Sequence, residues 1–408
     1  MARPARKARR LHPLRKGDAL KLGLLTALCL GLAGLTACHL AAQGIDRRTE
    51  KDWDAVSRAR DPKKLAGIAE RARETLHKQP LDVRAISLIA MAKEAGGDRN
   101  SAAQMMRAAS KLSHRDSATN LWLFIHGVEA HRYDEAFENI DAYMRRNPAA
   151  ADRVLMNVVA AAVQPDAAPA LAKRLALRPS WRGGFYSALA RMTPKNPDIA
   201  FSIMSETLKA GSPPTREELQ RHLNRMVAAQ RFEEAYLQWI LLLPNEQTAK
   251  LGYLNDGEFE NDGGYPPFGW NLQGVEGATV ESAAAYGRKG KALRLGYDGF
   301  SSRPLPTQLL LLPPGTYRMT GDYLAEDADS VGRIKWVVTC AGGAAQPLAE
   351  HLVGDTKGGW RRFVLNFTVP TAGCTAQVVG AAPVVGVRRV PVGVWFDKIT
   401  LVQAEAAS

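Results

Sequence analysis

The sequence predicts a multidomain α + β chain: an N-terminal membrane anchor, an α-solenoid of about six helix pairs, and a C-terminal antiparallel β-sandwich. Three observations carry this reading. Apolar residues recur at helical spacing between Asp46 and Pro244, broken only by short Gly/Pro/Asn turns. From Leu251 the period falls to two, and turn residues recur every eight to fifteen positions. Ahead of both, a basic head precedes a continuous apolar run. At 408 residues the chain exceeds what one core organises. The expected parts are a head (1–21), an anchor or signal (22–42), helices (46–247), a β domain (251–403) and a tail (404–408).

The anchor has two readings. Leu22–Ala42 is long enough for one transmembrane helix, and the Lys/Arg-rich head would stay inside. Alternatively, "LTAC" (Leu35–Cys38) resembles the bacterial lipobox, which makes Cys38 a candidate for lipidation. Either way the body is expected in the periplasm, tethered to the inner or outer membrane of a bacterial envelope.

Charge argues against nucleic acid. The net charge is +13, but residues 1–21 alone hold eight Lys/Arg against one Asp, and residues 250–408 are balanced at fifteen of each sign. No basic, aromatic-interleaved stripe remains for a polynucleotide, so no nucleic-acid partner is expected. Of the four cysteines, Cys340 and Cys374 fall in strand-like sequence of the β region. In an oxidising compartment they are expected to form a disulfide.

The helical region repeats. Small residues open every second helix at Ala66, Ala102, Ala136, Ala168, Ala200 and Ala235, at intervals of 32 to 36 residues. Two helices per unit at this period resemble the tetratricopeptide repeat. The third unit carries Tyr133, Ala136, Ile140, Tyr143 and Pro148 at matching positions, and the sixth carries Phe232, Ala235, Trp239 and Leu242. The first-helix aromatic and Leu-Gly positions are poorly kept. The resemblance implies a concave surface that holds a protein partner. "SWRGGFY" (180–186) and "HGVEAH" (126–131) offer residue types suited to such a groove, though core packing explains them equally well.

The β region resembles the jelly-roll carbohydrate-binding modules, of the galactose-binding-like group. Leu254, Asp256, Gly257, Phe259, Glu260, Gly269 and Trp270 match its opening; Gly290–Leu295, Trp360–Pro370 and Phe396–Leu401 match later strands. On this reading 254–272 forms the first strand and turn, with Phe259 and Trp270 inward. Trp360 and Trp395 also fall where the family packs its interior. The resemblance implies structural calcium, with Glu260, Asp397 and Asp256 as candidate ligands and Glu258 or Asp262 as additions, since calcium takes carboxylate and carbonyl oxygens. No other cofactor is required. Sugar binding needs aromatic faces; Tyr265, Tyr297 and Trp336 are the candidate platform.

No nucleophile elbow, zinc-protease, phosphate-loop or dinucleotide signature occurs. "GRKGK" (287–291) lacks phosphate-loop spacing. The expectation is a non-catalytic adaptor between a protein complex and an envelope or secreted polysaccharide. Its alternatives are a pure protein scaffold and, less favoured, a polysaccharide-processing enzyme or accessory subunit.

Overall fold

The computed structural model describes residues 62–404, apart from 165, 194–195, 244–247, 249–250, 275, 300–304, 343–345, 385 and 388–389. The basic head, the apolar run and Cys38 lie outside the described residues. No helix among those described is long and apolar enough to cross a membrane. The chain divides after Asn147 into two compact units.

The first unit is helical: α1 (Pro62–Lys78), α2 (Val83–Ala95), α3 (Arg99–Leu112), α4 (Ser117–Glu129) and α5 (Tyr133–Arg146), each packed on the next. Asp82, Asp98 and Asp116 cap α2, α3 and α4, each accepting a bond from a first-turn backbone N–H. Small residues set the helix spacing. A Cβ on Gly127 would lie 3.0 Å from the Ala136 Cβ, so α4 and α5 touch almost backbone to backbone. Ala102 and Ala136 are fully buried. Ala66 is exposed instead, and Ala69 on the same helix enters the core.

The second unit opens with six helices: α6 (Ala151–Ala162), α7 (Ala167–Ala176), α8 (Arg182–Met192), α9 (Asp198–Lys209), α10 (Arg216–Ala228) and α11 (Phe232–Leu242). Alternate helices pack on each other, α6 on α8, α7 on α9 and α9 on α11. Consecutive α10 and α11 also pack together. Helix α7 starts after a left-handed Asp166 and buries Ala167, leaving Ala168 half-exposed, one residue off the expected repeat register.

The sandwich contains β1 (Ala278–Ala284), β2 (Lys291–Tyr297), β3 (Thr307–Leu310), β4 (Gly315–Ala325), β5 (Ile334–Cys340), β6 (Ala349–Leu352), β7 (Arg361–Val369), β8 (Gln377–Pro383) and β9 (Val392–Gln403). One sheet runs β1-β2-β9-β4-β7, the other β3-β8-β5-β6, and every pairing is antiparallel. Alternate residues of β7 are buried, so Phe363, Leu365, Phe367 and Val369 fill the core between the sheets. Cys340 and Cys374 form the expected disulfide.

Leu254–Leu272 is not a strand. Asp256, Phe259, Asp262, Gly263 and Gly264 all have positive φ, which breaks extended geometry into successive turns. These turns are fixed to the sheets. Gly257 accepts the Ile399 N–H at 2.9 Å, and a Cβ on Gly257 would fall 1.8 Å from the Ile399 carbonyl oxygen, so only glycine fits. Phe259 and Trp270 point inward as expected. On their other side the turns meet the last helix: Trp239 Nε1 donates to the Tyr265 carbonyl at 3.0 Å, and Phe268 packs against Tyr236 and Trp239.

Candidate functional site

Strand parity places the aromatic residues. On β9, Val394 and Phe396 are buried in the core, so Trp395 between them faces outward, half-buried. On β7, Phe363 faces inward and Arg362 outward. Trp360 precedes Arg361, whose partner on β4 is Tyr323, so Trp360 stands beside Leu324, and Leu324 in turn pairs with Trp395. A row Trp360–Leu324–Trp395–Arg294–Glu281 therefore crosses the outer face of the five-stranded sheet. The two tryptophans stand two strand spacings apart, roughly 10 Å. Both were expected inside. They are outside because Phe363 and Phe396 hold the inward positions and parity puts Trp360 and Trp395 on the other face.

Each indole is held. Trp360 Nε1 donates to the Tyr286 carbonyl at 2.8 Å, and Trp395 Nε1 to Glu326 Oε1 at 2.7 Å. The Arg288 guanidinium lies 4.1 Å from the Trp360 ring centroid, and that of Arg294 lies 5.7 Å from Trp395. Glu326 also accepts from Arg294 at 2.9 Å, and this bond raises the Arg294 pKa further above its ordinary value.

The adjacent row holds two carboxylates that face each other across β4 and β9, Asp322 and Asp397, both largely buried. Arg288 Nη1 lies 2.9 Å from Asp322 and 3.2 Å from Asp397, while Arg362 reaches Asp322 at 3.4 Å. Two like charges placed opposite each other would repel; the guanidiniums offset this. The hairpin turn between β1 and β2 delivers Arg288 to this position.

The expected calcium ligands are engaged elsewhere. Asp397 is bound by Arg288. Asp256 accepts from Asn261 and from the Gly263 N–H, closing a turn, and burial raises its pKa despite those bonds. Glu260 accepts the Lys291 N–H at 2.8 Å, and Asp262 holds the Lys291 ammonium at 2.6 Å. Among the described residues no group of three or more His, Cys, Asp or Glu could hold a metal ion. Here Arg and Lys supply the positive charge beside these acids.

The three residues expected as a sugar platform lie apart from one another. Trp336 is fully buried against Trp270, Phe363 and Phe396, because Ile334, Trp336 and Val338 form the inward row of β5. Tyr297 lies in the same parity as Leu293 and Leu295 and packs on the edge of the core. Tyr265 is half-buried in the turn docked on α11. None of the three joins the outer row.

In the helices, "SWRGGFY" is interior. Trp181, Phe185 and Tyr186 are buried, and Arg182 makes a two-pronged pair with Glu218 at 2.8 and 2.7 Å, with further bonds to Leu175, Ser212 and Pro213. Burial pushes the Tyr186 hydroxyl pKa up to about 12. "HGVEAH" is partly accessible: His126 sits between Glu94 at 3.0 Å and Glu129 at 3.1 Å and stacks on Trp122.

No family model matches the chain, and no curated protein matches it. Among solved structures, the chain is similar to the CBM22-1 xylan-binding domain of Paenibacillus barcinonensis Xyn10C (13% identity, 38% of this chain and 100% of that one, TM-score 0.29). It is also similar to a family 16 carbohydrate-binding module-2 (21% identity, 37% and 100%, TM-score 0.28) and to TmCBM61 in complex with beta-1,4-galactotriose (17%, 38% and 99%, TM-score 0.27). At these scores the likeness decides neither ligand nor activity.

Proposed function

We propose that the sandwich binds a polysaccharide on the outer face of its five-stranded sheet. The observation that supports this is the pair of outward tryptophans, Trp360 and Trp395, beside a row of bound charges. Pyranose rings present C–H faces that stack on indole and hydroxyls that bond to carboxylate and guanidinium. The charged groups are already fixed to one another, so little ordering cost accompanies binding.

The wider reading is a non-catalytic adaptor. The helices form a tetratricopeptide-like solenoid with a protein partner, and the N-terminus tethers the chain to a bacterial envelope, during polysaccharide assembly or export. Non-catalysis is favoured because Asp322 and Asp397 are both engaged by Arg288. A second reading, a pure scaffold, is favoured by the guanidiniums near both indoles, since Arg288 and Arg294 already occupy part of that aromatic surface.

Affinity electrophoresis of the full chain through a panel of soluble polysaccharides separates the two. Retardation by at least one polysaccharide, weakened about tenfold or more by Trp395→Ala with the thermal melt unchanged, is the expected result. Equal migration in every gel would favour the scaffold.

A further inference from the structure

A cleft lies away from the tryptophans. It opens between the first turn of α11 and the two turns that lead into β4 and β8, and measures about 290 Å³. Leu311, Pro313, Pro314 and Pro370 give it apolar walls, and Glu233 is the one charged residue that lines it among those described. The walls are fixed before any ligand arrives. Buried Gln377 accepts the Leu312 N–H at 2.9 Å and donates to the Cys374 carbonyl at 3.0 Å, so one side chain ties both turns together. Tyr317 also donates to the Pro313 carbonyl at 2.8 Å. Glu233 forms no hydrogen bond or ion pair among the described residues. Arg231, two positions earlier, is held by Glu234 and Asp198, so it does not neutralise Glu233.

Leu237 and Leu241 follow Glu233 at i + 4 and i + 8, in one stripe along α11, and are 60% and 64% exposed. The opposite side of the helix is filled, with Phe232, Ala235, Trp239 and Leu242 buried. A surface helix ordinarily turns polar residues to water. The last helix of a stacked array needs this most, because an apolar outer face invites another helix. We propose that this stripe docks an amphipathic helix of a partner protein, which lays two apolar side chains on Leu237 and Leu241 and seats an arginine or lysine in the cleft against Glu233. Such a side chain has an apolar stem and a charged tip, which suits proline walls beside a single carboxylate. Successive anchors stand about 6 Å apart on both helices, since each residue rises about 1.5 Å. The inference rests on the protein-partner part of the adaptor reading and adds the docking surface and what the partner presents to it.

The probe is a helical peptide of about five turns, rich in Ala and Gln, with Arg, Leu and Leu at i, i + 4 and i + 8. It is made in both chain directions and followed by fluorescence anisotropy, and its twin carries Gln in place of Arg. The full chain should bind the Arg peptide about fivefold more tightly than the twin, the upper range for an exposed ion pair. Glu233→Gln should bring the two peptides level. Leu237→Asp combined with Leu241→Asp should weaken both by about tenfold or more, with the thermal melt and polysaccharide binding unchanged. Equal binding of the twins by the unaltered chain, or a preference that survives Glu233→Gln, overturns the docking site. Agmatine binding as tightly as the peptide also overturns it, because the cleft would then take a small cation alone. So does sedimentation of the chain as a dimer that Leu237→Asp dissociates, which would assign the stripe to a second copy. Binding of neither peptide removes this surface and leaves the adaptor reading standing, its partner then using another face of the helices.

Discussion

The two outer faces of the sandwich are built from the same alternating pattern and differ in content. On the four-stranded sheet the outward row of β5 is Lys335, Val337 and Thr339, beside Glu350 and Leu352 of β6 and Val378, Gly380 and Ala382 of β8. One exposed ion pair, Lys335–Glu350, is its electrostatic content. The five-stranded face carries two tryptophans, a facing pair of acids and the arginines that bind them. Burying Asp322 and Asp397 side by side costs desolvation that a plain surface avoids. A sheet gains nothing in stability from that arrangement over the simpler face, which is why the five-stranded face is the candidate for ligand binding.

Breaking the disulfide of the four-stranded sheet should have the largest effect on stability. The Cys340–Cys374 bond joins the end of β5 to the turn before β8 and closes a loop with a sequence separation of 34. Replacing both cysteines with alanine should cost about 3–4 kcal/mol by loop-entropy reasoning. Denaturant melts of oxidised chain and double variant would measure it, and sugar binding at low denaturant should persist because Trp360, although inside that loop, is held independently by the β7–β4 pairing and its bond to Tyr286.

Arg288→Ala comes next and acts on the other face. It leaves Asp322 with only the long Arg362 contact and Asp397 with no cation, and a loss of about 2 kcal/mol is expected, reduced from the fully buried case because Arg288 is partly solvated. The counterpart Lys335→Ala should move the same melt by less than about 0.5 kcal/mol. Equal effects would mean that the carboxylate pair is relieved by solvent, and the contrast between the faces would fail.

Much of this was legible. Strand alternation in "VWFDKITL" already separates Trp395 and Asp397 from Phe396, and the same parity in "WRRFVLNF" sets Trp360 and Arg362 opposite Phe363. Family resemblance pulled both tryptophans inward against a signal the residues themselves carried. The bridge Arg288–Asp322–Asp397 was not legible, because it joins a hairpin turn to strands far along the chain. Strands β1 and β6 carry little apolar period to read: β1 buries only Val280, and β6 spans four residues with none buried. The turns of 254–272 were read as a strand because Gly, Asp and Phe there fit a familiar order, while the left-handed conformations of Asp256 and Phe259 leave no mark in composition.

The smallest effect concerns His351, the inward member of β6 opposite Trp336. Its ring stacks on Phe363 and lies near Tyr323, Nε2 has no hydrogen-bond partner, and burial lowers its pKa from the ordinary value near 6.5. A base whose folded pKa is depressed favours the folded state when neutral. Its contribution is therefore complete above about pH 6.5 and is lost as pH falls below that value. Burial is the sole cause of the shift and no ion pair reaches the ring among the described residues, so protonation gains no counter-charge. His351→Asn should flatten the melting temperature between pH 7 and pH 5, by a few tenths of a kcal/mol at the acid end given the ring's partial exposure. A pH slope unchanged in the variant would assign the acid sensitivity to His222, which is also buried, also lowered by burial and bonded to Gln238 between α10 and α11. The four-stranded sheet would then have no pH-sensitive element in its core, and the helices would carry it.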